Sequence, residues 1–180
     1  VIFITDTSGS MAQSAWAHVL KKVSEVLRVY PKVKGIQVMN DMGQYMFQSY
    51  GPKWIPDTPG RRAAINQRLR TWQPFSNSSP VEGITQAIRT FYDPNKNISI
   101  YVFGDEFTGD SIANVVDTVD RLNRESADGS RRVRIHAVGF PVQFIRAPQL
   151  QTTGIRFATL MRELTYRNGG TFVGLNDFRP

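Results

Sequence analysis

The feature that most constrains the fold is an alternation of short apolar runs with amphipathic helical segments along the chain. The apolar runs predict strands at 1–5, 35–39, 44–48, 97–103, 132–139 and 171–174. The apolar stripes predict helices at 12–30, 61–71, from 80 onward, 111–123 and 155–167. A tight turn at 40–43 makes the third strand antiparallel to the second. We therefore predict an α/β fold: a doubly wound, mostly parallel six-stranded sheet with one antiparallel edge strand and helices on both faces, as in Rossmann-like proteins.

Composition narrows the class of protein. The 180 residues suffice for one domain with a full core, and no run of about 18 apolar residues predicts a membrane span. The absence of Cys excludes disulfides, thiolate metal sites and Cys nucleophiles. The chain begins at Val1, already inside a predicted strand. We interpret it as a single domain excised from a longer protein, monomeric as a fragment.

Three polar loops follow strands or precede helices. In a doubly wound sheet, such loops meet at the carboxyl ends of the strands. Their oxygen-bearing side chains are Asp6, Ser8 and Ser10 in the first loop, residues 76–79 in the second, and Asp105 with Glu106 in the third. Hard divalent cations prefer oxygen ligands, and Mg²⁺ keeps several waters. Two carboxylates and three hydroxyls would hold such an ion without covering it completely.

Helix capping is the alternative role for two of these serines. Ser10 with Gln13, and Ser79 with Glu82, both have the spacing of a capping box, in which the hydroxyl bonds a backbone N–H of the first helical turn. Asp105 could likewise be an ordinary loop residue after a strand. These structural roles stay open at the level of the sequence.

The segment from Asp6 to Met11, Asp-Thr-Ser-Gly-Ser-Met, resembles the Asp-x-Ser-x-Ser metal-ion-dependent adhesion site (MIDAS) of von Willebrand factor type A (vWA) domains. The similarity extends along almost the whole chain, in the order of its predicted elements. The resemblance implies Asp6, Ser8, Ser10, Ser79 and Asp105 as ligands of one Mg²⁺ ion, or of Mn²⁺ or Ca²⁺. Ser79 stands where the family usually has Thr, and Ser78 is the alternative ligand.

The resemblance also implies a function in adhesion or assembly. The ion of a vWA domain captures an Asp or Glu carboxylate of a protein partner, so we expect a binding module and no enzyme. Residues near the same end of the sheet would form the partner-binding rim: Ser78, Glu106, Phe107, Phe140, Phe144 and Arg146. Local packing under long loops is the alternative for the aromatic side chains of this group.

Two other classes of function are compatible with parts of the sequence. A serine hydrolase needs a base, but His18 lies in a predicted helix and His136 in a predicted strand, and no Gly-x-Ser-x-Gly elbow or phosphate-binding loop is present. The net charge of +7 suggests instead a module of a nucleic-acid-associated or ATPase-linked intracellular complex that binds through its basic surface. We favour metal-dependent protein binding, in a secreted or cell-surface protein of bacterial origin.

Overall fold

The computed structural model describes residues 1–109, 111–127, 129–145 and 148–176. Its described part contains one sheet of five strands: β1 Ile2–Thr5, β2 Gln37–Asn40, β3 Ile98–Gly104, β4 Val133–Gly139 and β5 Phe172–Gly174. The strand order is β2-β1-β3-β4-β5, and every neighbouring pair is parallel. The predicted α/β class and parallel arrangement are confirmed.

Helices cover both faces of the sheet. They are α1 Gly9–Ser14, α2 Trp16–Val29, α3 Pro59–Leu69, α4 Val81–Phe91, α5 Ile112–Leu122 and α6 Pro148–Arg167. Side chains alternate between faces along β1, so that Ile2 and Ile4 pack with α4, α5 and α6, whereas Phe3 packs with α1, α2 and α3. Within the described residues, every helix is too short or too polar to cross a bilayer.

The prediction of a sixth, antiparallel strand at 44–48 is wrong for the described chain. Residues 44–46 do approach β2 in the antiparallel sense, with one bridge between Met39 and Tyr45. The pairing stops there because a 3₁₀ turn, Gln48–Tyr50, follows at once. The Gln37 amide donates to the carbonyls of Tyr50 and Lys53 at 3.2 and 2.7 Å, which holds the chain after this turn beside β2.

Two predicted helix boundaries also differ from the structure. The predicted helix 12–30 is two helices, α1 and α2, that meet at Ala15. Trp16 begins α2 and donates its indole N–H to the Leu69 carbonyl at 2.9 Å, which ties α2 to the end of α3. The predicted helix 155–167 begins earlier, at Pro148 of α6, and a 3₁₀ turn, Pro141–Ile145, precedes it.

Gly83 lets α4 approach the end of β2 closely. Its N–H donates to the Asp41 carbonyl at 2.6 Å. A Cβ added at Gly83 would lie 2.7 Å from the Asn40 carbonyl oxygen and 2.9 Å from that of Asp41. Both contacts are with backbone, which cannot move aside as a flexible side chain could. The missing side chain therefore sets the position of α4 against the loop that follows β2.

We expect Gly83→Ala to destabilise the fold by about 1–3 kcal/mol, because the added methyl group overpacks this contact. Gly60→Ala is the matched control, since Gly60 lies in α3 with open space where its Cβ would be. That variant should be neutral or more stable by up to about 1 kcal/mol, the helix propensity difference between Gly and Ala. Urea unfolding of both variants measures the difference, and equal stabilities would contradict the tight approach.

Candidate metal centre

Three aspartates, Asp6, Asp41 and Asp105, directly follow three adjacent strands of the sheet. Asp6 follows β1, the middle strand, while Asp41 follows β2 on one side and the loop of Asp105 follows β3 on the other. Backbone bonds continue the ladder past the strand ends: Asp6 N–H donates to the Phe103 carbonyl at 2.8 Å, and Asp41 N–H donates to the Thr5 carbonyl at 3.0 Å. The sheet itself thus places the carboxylates of Asp6 and its neighbours at one edge.

The first loop orients its hydroxyls without using them as helix caps. The Ser8 N–H donates to Asp6 Oδ1 at 2.7 Å, which turns the chain sharply after the strand. The Oγ atoms of Ser8 and Ser10 lie 2.9 Å apart. Ser8 is the N-cap of α1, but its side chain makes no capping hydrogen bond. The structure therefore places Asp6, Ser8 and Ser10 together, as predicted, and the capping-box interpretation of Ser10 is wrong.

The polar loop of residues 76–79 contacts the loop of Asp6 through Ser76. Its Oγ lies 3.2 Å from Asp6 Oδ1 and 2.6 Å from Asp41 Oδ2. Ser78 has a φ of 56°, in the left-handed region, and its N–H donates to Ser76 Oγ at 3.1 Å. Ser79 donates its own N–H to Asp41 Oδ2 at 3.3 Å. This loop is therefore held against both carboxylates.

The predicted capping role of Ser79 is also wrong, because Pro80 is the N-cap of α4 and no side chain caps that helix. The Ser79 hydroxyl is therefore not used to begin α4. Its role as a metal ligand, like that of Ser78, stays a prediction.

Asp105 lies in the third polar loop, which follows β3, and a distant part of the chain orients its carboxylate. The Gln143 amide donates to Asp105 Oδ2 at 2.7 Å, and the Ser10 hydroxyl also hydrogen-bonds this carboxyl. Glu106, which follows, accepts a hydrogen bond from Thr153 at 3.1 Å and is partly exposed. Asp105 therefore belongs to the cluster, whereas Glu106 is bound to the N-terminal part of α6.

Burial raises the pKa of all three aspartates. The pKa of Asp6 rises to about 7, first by desolvation and then by the charge of Asp105. Desolvation and the charge of Asp6 raise the pKa of Asp41 to about 6. Desolvation and Glu106 raise the pKa of Asp105 to about 6. Without a cation, the cluster therefore resists full ionisation near neutral pH.

The donor set fits a hard divalent cation. Asp6 Oδ2, Asp41 Oδ1 and Asp105 Oδ1 are all buried and have no hydrogen-bond partner. Buried carboxylate oxygens are normally paired or bound to a metal. In the described part of the chain, no three acidic or imidazole side chains converge on one metal position. An ion here would therefore depend on serine hydroxyls and water as well as carboxylates, as Mg²⁺ commonly does.

The predicted rim is only partly at the surface. Phe107 and Phe140 are 1% and 2% exposed, because Phe107 packs in the core under α5 and α6 and Phe140 in the core under α1 to α3. These two predictions are wrong. Phe144 is 45% exposed and lines a groove of about 340 Å³ that also touches Asp105. Ser78 is buried at the site, and Arg146 lies outside the described residues.

Several site residues were missed by the sequence reasoning. Asp41 and Ser76 contact the cluster directly, and Gln143 orients Asp105. Phe75 is 75% exposed in the loop that carries Ser76. Asp41 follows a buried strand just as Asp6 does, and this signal could have been used. Ser76 and Gln143 carry no such signal, because only the folded loops bring them to the carboxylates.

Comparison with known proteins identifies the fold. No family model and no curated protein matches the chain. Among solved structures, the chain is similar to proximal thread matrix protein 1 (PTMP1) from the mussel byssus, crystal form 2. The two share 14% sequence identity, the match covers 96% of this chain and 40% of PTMP1, and the TM-score is 0.61. A second PTMP1 structure, with a zinc-occupied MIDAS motif, shares 13% identity, with 98% of this chain and 43% of PTMP1 covered and a TM-score of 0.63.

The VWA domain of SpRpn10 is a further neighbour, with 14% identity, 97% of this chain and 86% of that one, and a TM-score of 0.56. The chain spans about two fifths of the length of PTMP1. At these identities the comparisons establish the fold alone. The chain has the vWA fold, and the predicted resemblance to this family is confirmed at the level of the fold.

We expect the chelated protein to lose stability as the pH rises from about 4 to 7. Each aspartate has a folded pKa above its unfolded value of about 3.9, so the folded state binds more protons in this window. The stability present below pH 4 is lost as the folded carboxyls ionise. Asp41→Asn should reduce the loss of unfolding free energy over this pH range by about 2 kcal/mol, because one unit of pKa difference between the folded and unfolded states corresponds to about 1.4 kcal/mol.

Urea unfolding in the presence of a chelator at pH 4.5, 6 and 7.5 measures this effect. Asp93→Asn is the control, because Asp93 is at the surface, paired with Lys96, and has a lowered pKa. Above pH 4.5 this control should follow the wild type. Equal slopes for Asp41→Asn and the wild type would show that the carboxylates are not buried as described.

Proposed function

We propose that this chain is a protein-binding module that uses a divalent cation to capture a carboxylate of its partner. The observation that carries the proposal is the set of buried carboxylate oxygens of Asp6 and Asp105 that have no partner, beside the hydroxyls of Ser8 and Ser10. Asp6, Ser8, Ser10, Asp105 and Ser79, with Ser78 as the alternative to Ser79, would hold the ion. Mg²⁺ is proposed, with Mn²⁺ and Ca²⁺ as alternatives.

The chemistry of the donor set explains why a partner carboxylate would bind. A bound ion supplies a Lewis-acidic position that neutral hydroxyls and water leave electron-poor, so an anionic oxygen is favoured there. Asp105 is fixed by Gln143, and the Asp6 carboxylate is fixed by the Ser8 N–H. These contacts orient the acids, and Phe144 offers an exposed apolar surface beside them for the partner.

The neighbours support a binding role by analogy. One PTMP1 structure carries zinc in its MIDAS motif. We propose the same kind of site here, with adhesion or assembly as its use and no catalytic reaction. His136, the residue that a hydrolase would need near the serines, lies within β4 and stacks on Tyr101 with ring centroids 4.7 Å apart. A secreted or cell-surface location stays part of the proposal.

Addition of Mg²⁺ or Mn²⁺ to the chelated protein should raise its melting temperature. At a concentration about 100 times the dissociation constant, binding adds about 2.7 kcal/mol, which corresponds to roughly 5–10 °C in a domain of this size. Asp6→Ala should abolish the shift, whereas Asp93→Ala should retain it because Asp93 is a partly exposed acid away from the site, paired with Lys96. An equal shift in Asp6→Ala would rule out the proposed ligand set.

Selection from a displayed peptide library tests the capture of a carboxylate. The library is bound to the protein in Mg²⁺ and eluted with a chelator. The recovered peptides should share an Asp or Glu, and replacement of that residue by Asn or Gln should remove binding. The same selection on Asp6→Ala should recover no such motif, and recovery of the same peptides there would contradict the proposal.

A second candidate function follows from the distribution of charge. Residues 7–80 contain ten Lys and Arg but only three Asp and Glu. Asp41 is buried, Glu25 pairs with Lys22, and Asp57 pairs with Arg62. The α2–α3 face, defined by the exposed side chains of these two adjacent helices and the residue after α3, presents five of the eight remaining basic residues: Lys21, Arg28, Arg61, Arg68 and Arg70.

Such a face suits a polyanion such as RNA, in a nucleic-acid-associated or ATPase-linked intracellular complex. The two candidate functions differ in how a chelator and the salt concentration affect binding. Binding of RNA to the α2–α3 face would persist in a chelator and weaken steeply with salt. Capture of a carboxylate at the metal centre would be lost in the chelator. We favour the metal-dependent function because the buried acids need a cation, whereas exposed basic residues do not need a partner.

A further inference from the structure

Asp41 is a third buried carboxylate that the proposed adhesive ion does not account for. It follows β2, so it lies on the side of Asp6 opposite to Asp105, which follows β3. Adjacent strands are about 4.8 Å apart, and the backbones that carry Asp41 and Asp105 are therefore separated by roughly 10 Å. Three acidic side chains of the described chain do not converge on one metal position. An ion between Asp6 and Asp105 would leave Asp41 outside its ligand set.

The charge of Asp41 has no counter-charge in the described part of the protein. Its side chain is 1% exposed and forms no ion pair, and its contacts are the Ser76 hydroxyl and the Ser79 N–H, both on Oδ2. Asp41 Oδ1 has no partner. An unpaired carboxylate is costly to bury, by several kcal/mol. Asp41 therefore needs a proton or a cation of its own.

The Ser76 hydroxyl joins the carboxylates of Asp41 and Asp6. Ser76 Oγ lies 2.6 Å from Asp41 Oδ2 and 3.2 Å from Asp6 Oδ1, and it accepts the Ser78 N–H. The other oxygens of the two carboxylates, Asp41 Oδ1 and Asp6 Oδ2, are buried without a hydrogen-bond partner. Neither carboxylate pairs with a Lys or Arg of the described chain, and the row Asp41–Ser76–Asp6 consists of the oxygen donors that a hard divalent cation prefers.

We propose that Asp41, Ser76 and Asp6 form a second divalent-cation site, in which Asp6 is shared with the adhesive site. The inference rests on the proposed function only through Asp6, since neither Asp41 nor Ser76 is needed to hold the first ion. The shared carboxylate couples the two positions. Neutralisation of Asp41 by its own cation would leave the adhesive position more attractive to a partner carboxylate, so the second site would tune the first.

The number of Mn²⁺ ions bound per chain tests this inference. Equilibrium dialysis of the wild-type protein should give two ions, with spin–spin broadening in the electron paramagnetic resonance spectrum. Asp41→Asn should give one ion without that broadening. This variant keeps the shape of the side chain and its ability to accept the Ser76 and Ser79 hydrogen bonds, so it tests the charge. Asp105→Asn should keep the Asp41 position, and the exposed-site control Asp93→Asn should bind two ions.

The outcomes separate this inference from the proposed function. One ion in the wild type, retained with equal affinity by Asp41→Asn, would overturn the second site and leave the adhesive site intact. One ion in the wild type that is lost in Asp41→Asn would overturn the two-site arrangement and assign Asp41 to a single centre. No bound ion in the folded wild type would overturn both. Circular dichroism and urea unfolding establish that each variant is folded.

Discussion

The structure depends on the burial of three aspartates at one end of a parallel sheet. Asp6, Asp41 and Asp105 follow the adjacent strands β1, β2 and β3, and none of them forms an ion pair with a Lys or Arg of the described chain. Hydrogen bonds from serine hydroxyls, backbone N–H groups and Gln143 satisfy only part of their oxygens. Like charges that are buried this close together oppose folding unless protons or cations compensate them.

The sheet and its two apolar cores make this arrangement possible. The carboxylates cannot separate, because backbone bonds from Asp6 to Phe103 and from Asp41 to Thr5 extend the ladder beyond the strands. Gly83 lets α4 pack closely against the backbone of Asn40 and Asp41. The loop of residues 76–79, which precedes α4, therefore lies against the aspartates. The apolar core thus supplies the stability that holds repelling groups in place. The carboxylates that would hold the proposed cation are therefore already in place in the folded chain.

The molecule separates its charges in space. Three acids without counter-charges are buried at the carboxyl edge of the sheet, whereas much of the basic excess of the first 80 residues is on the α2–α3 face. Among the residues that the structure describes, local ion pairs neutralise most of the other acids, as between Asp120 and Arg131 or Arg167. The two proposed functions would therefore use different physical means: coordination at the proposed metal centre, and screened Coulomb attraction on the basic face.

Local patterns in the sequence were sufficient to predict the α/β class, the mostly parallel arrangement of the strands, and the cluster of Asp6, Ser8, Ser10 and Asp105. A buried strand followed by a short polar turn has few possible conformations, so its carboxylate position can be predicted. The tertiary structure alone decided that 44–48 is not a strand, since its pairing with β2 is limited to one bridge before the turn Gln48–Tyr50. It also decided that Phe107 and Phe140 are buried and that Asp41 and Ser76 reach Asp6. These outcomes depend on which strands become neighbours and which loops fold over them, and sequence spacing contains no direct record of either.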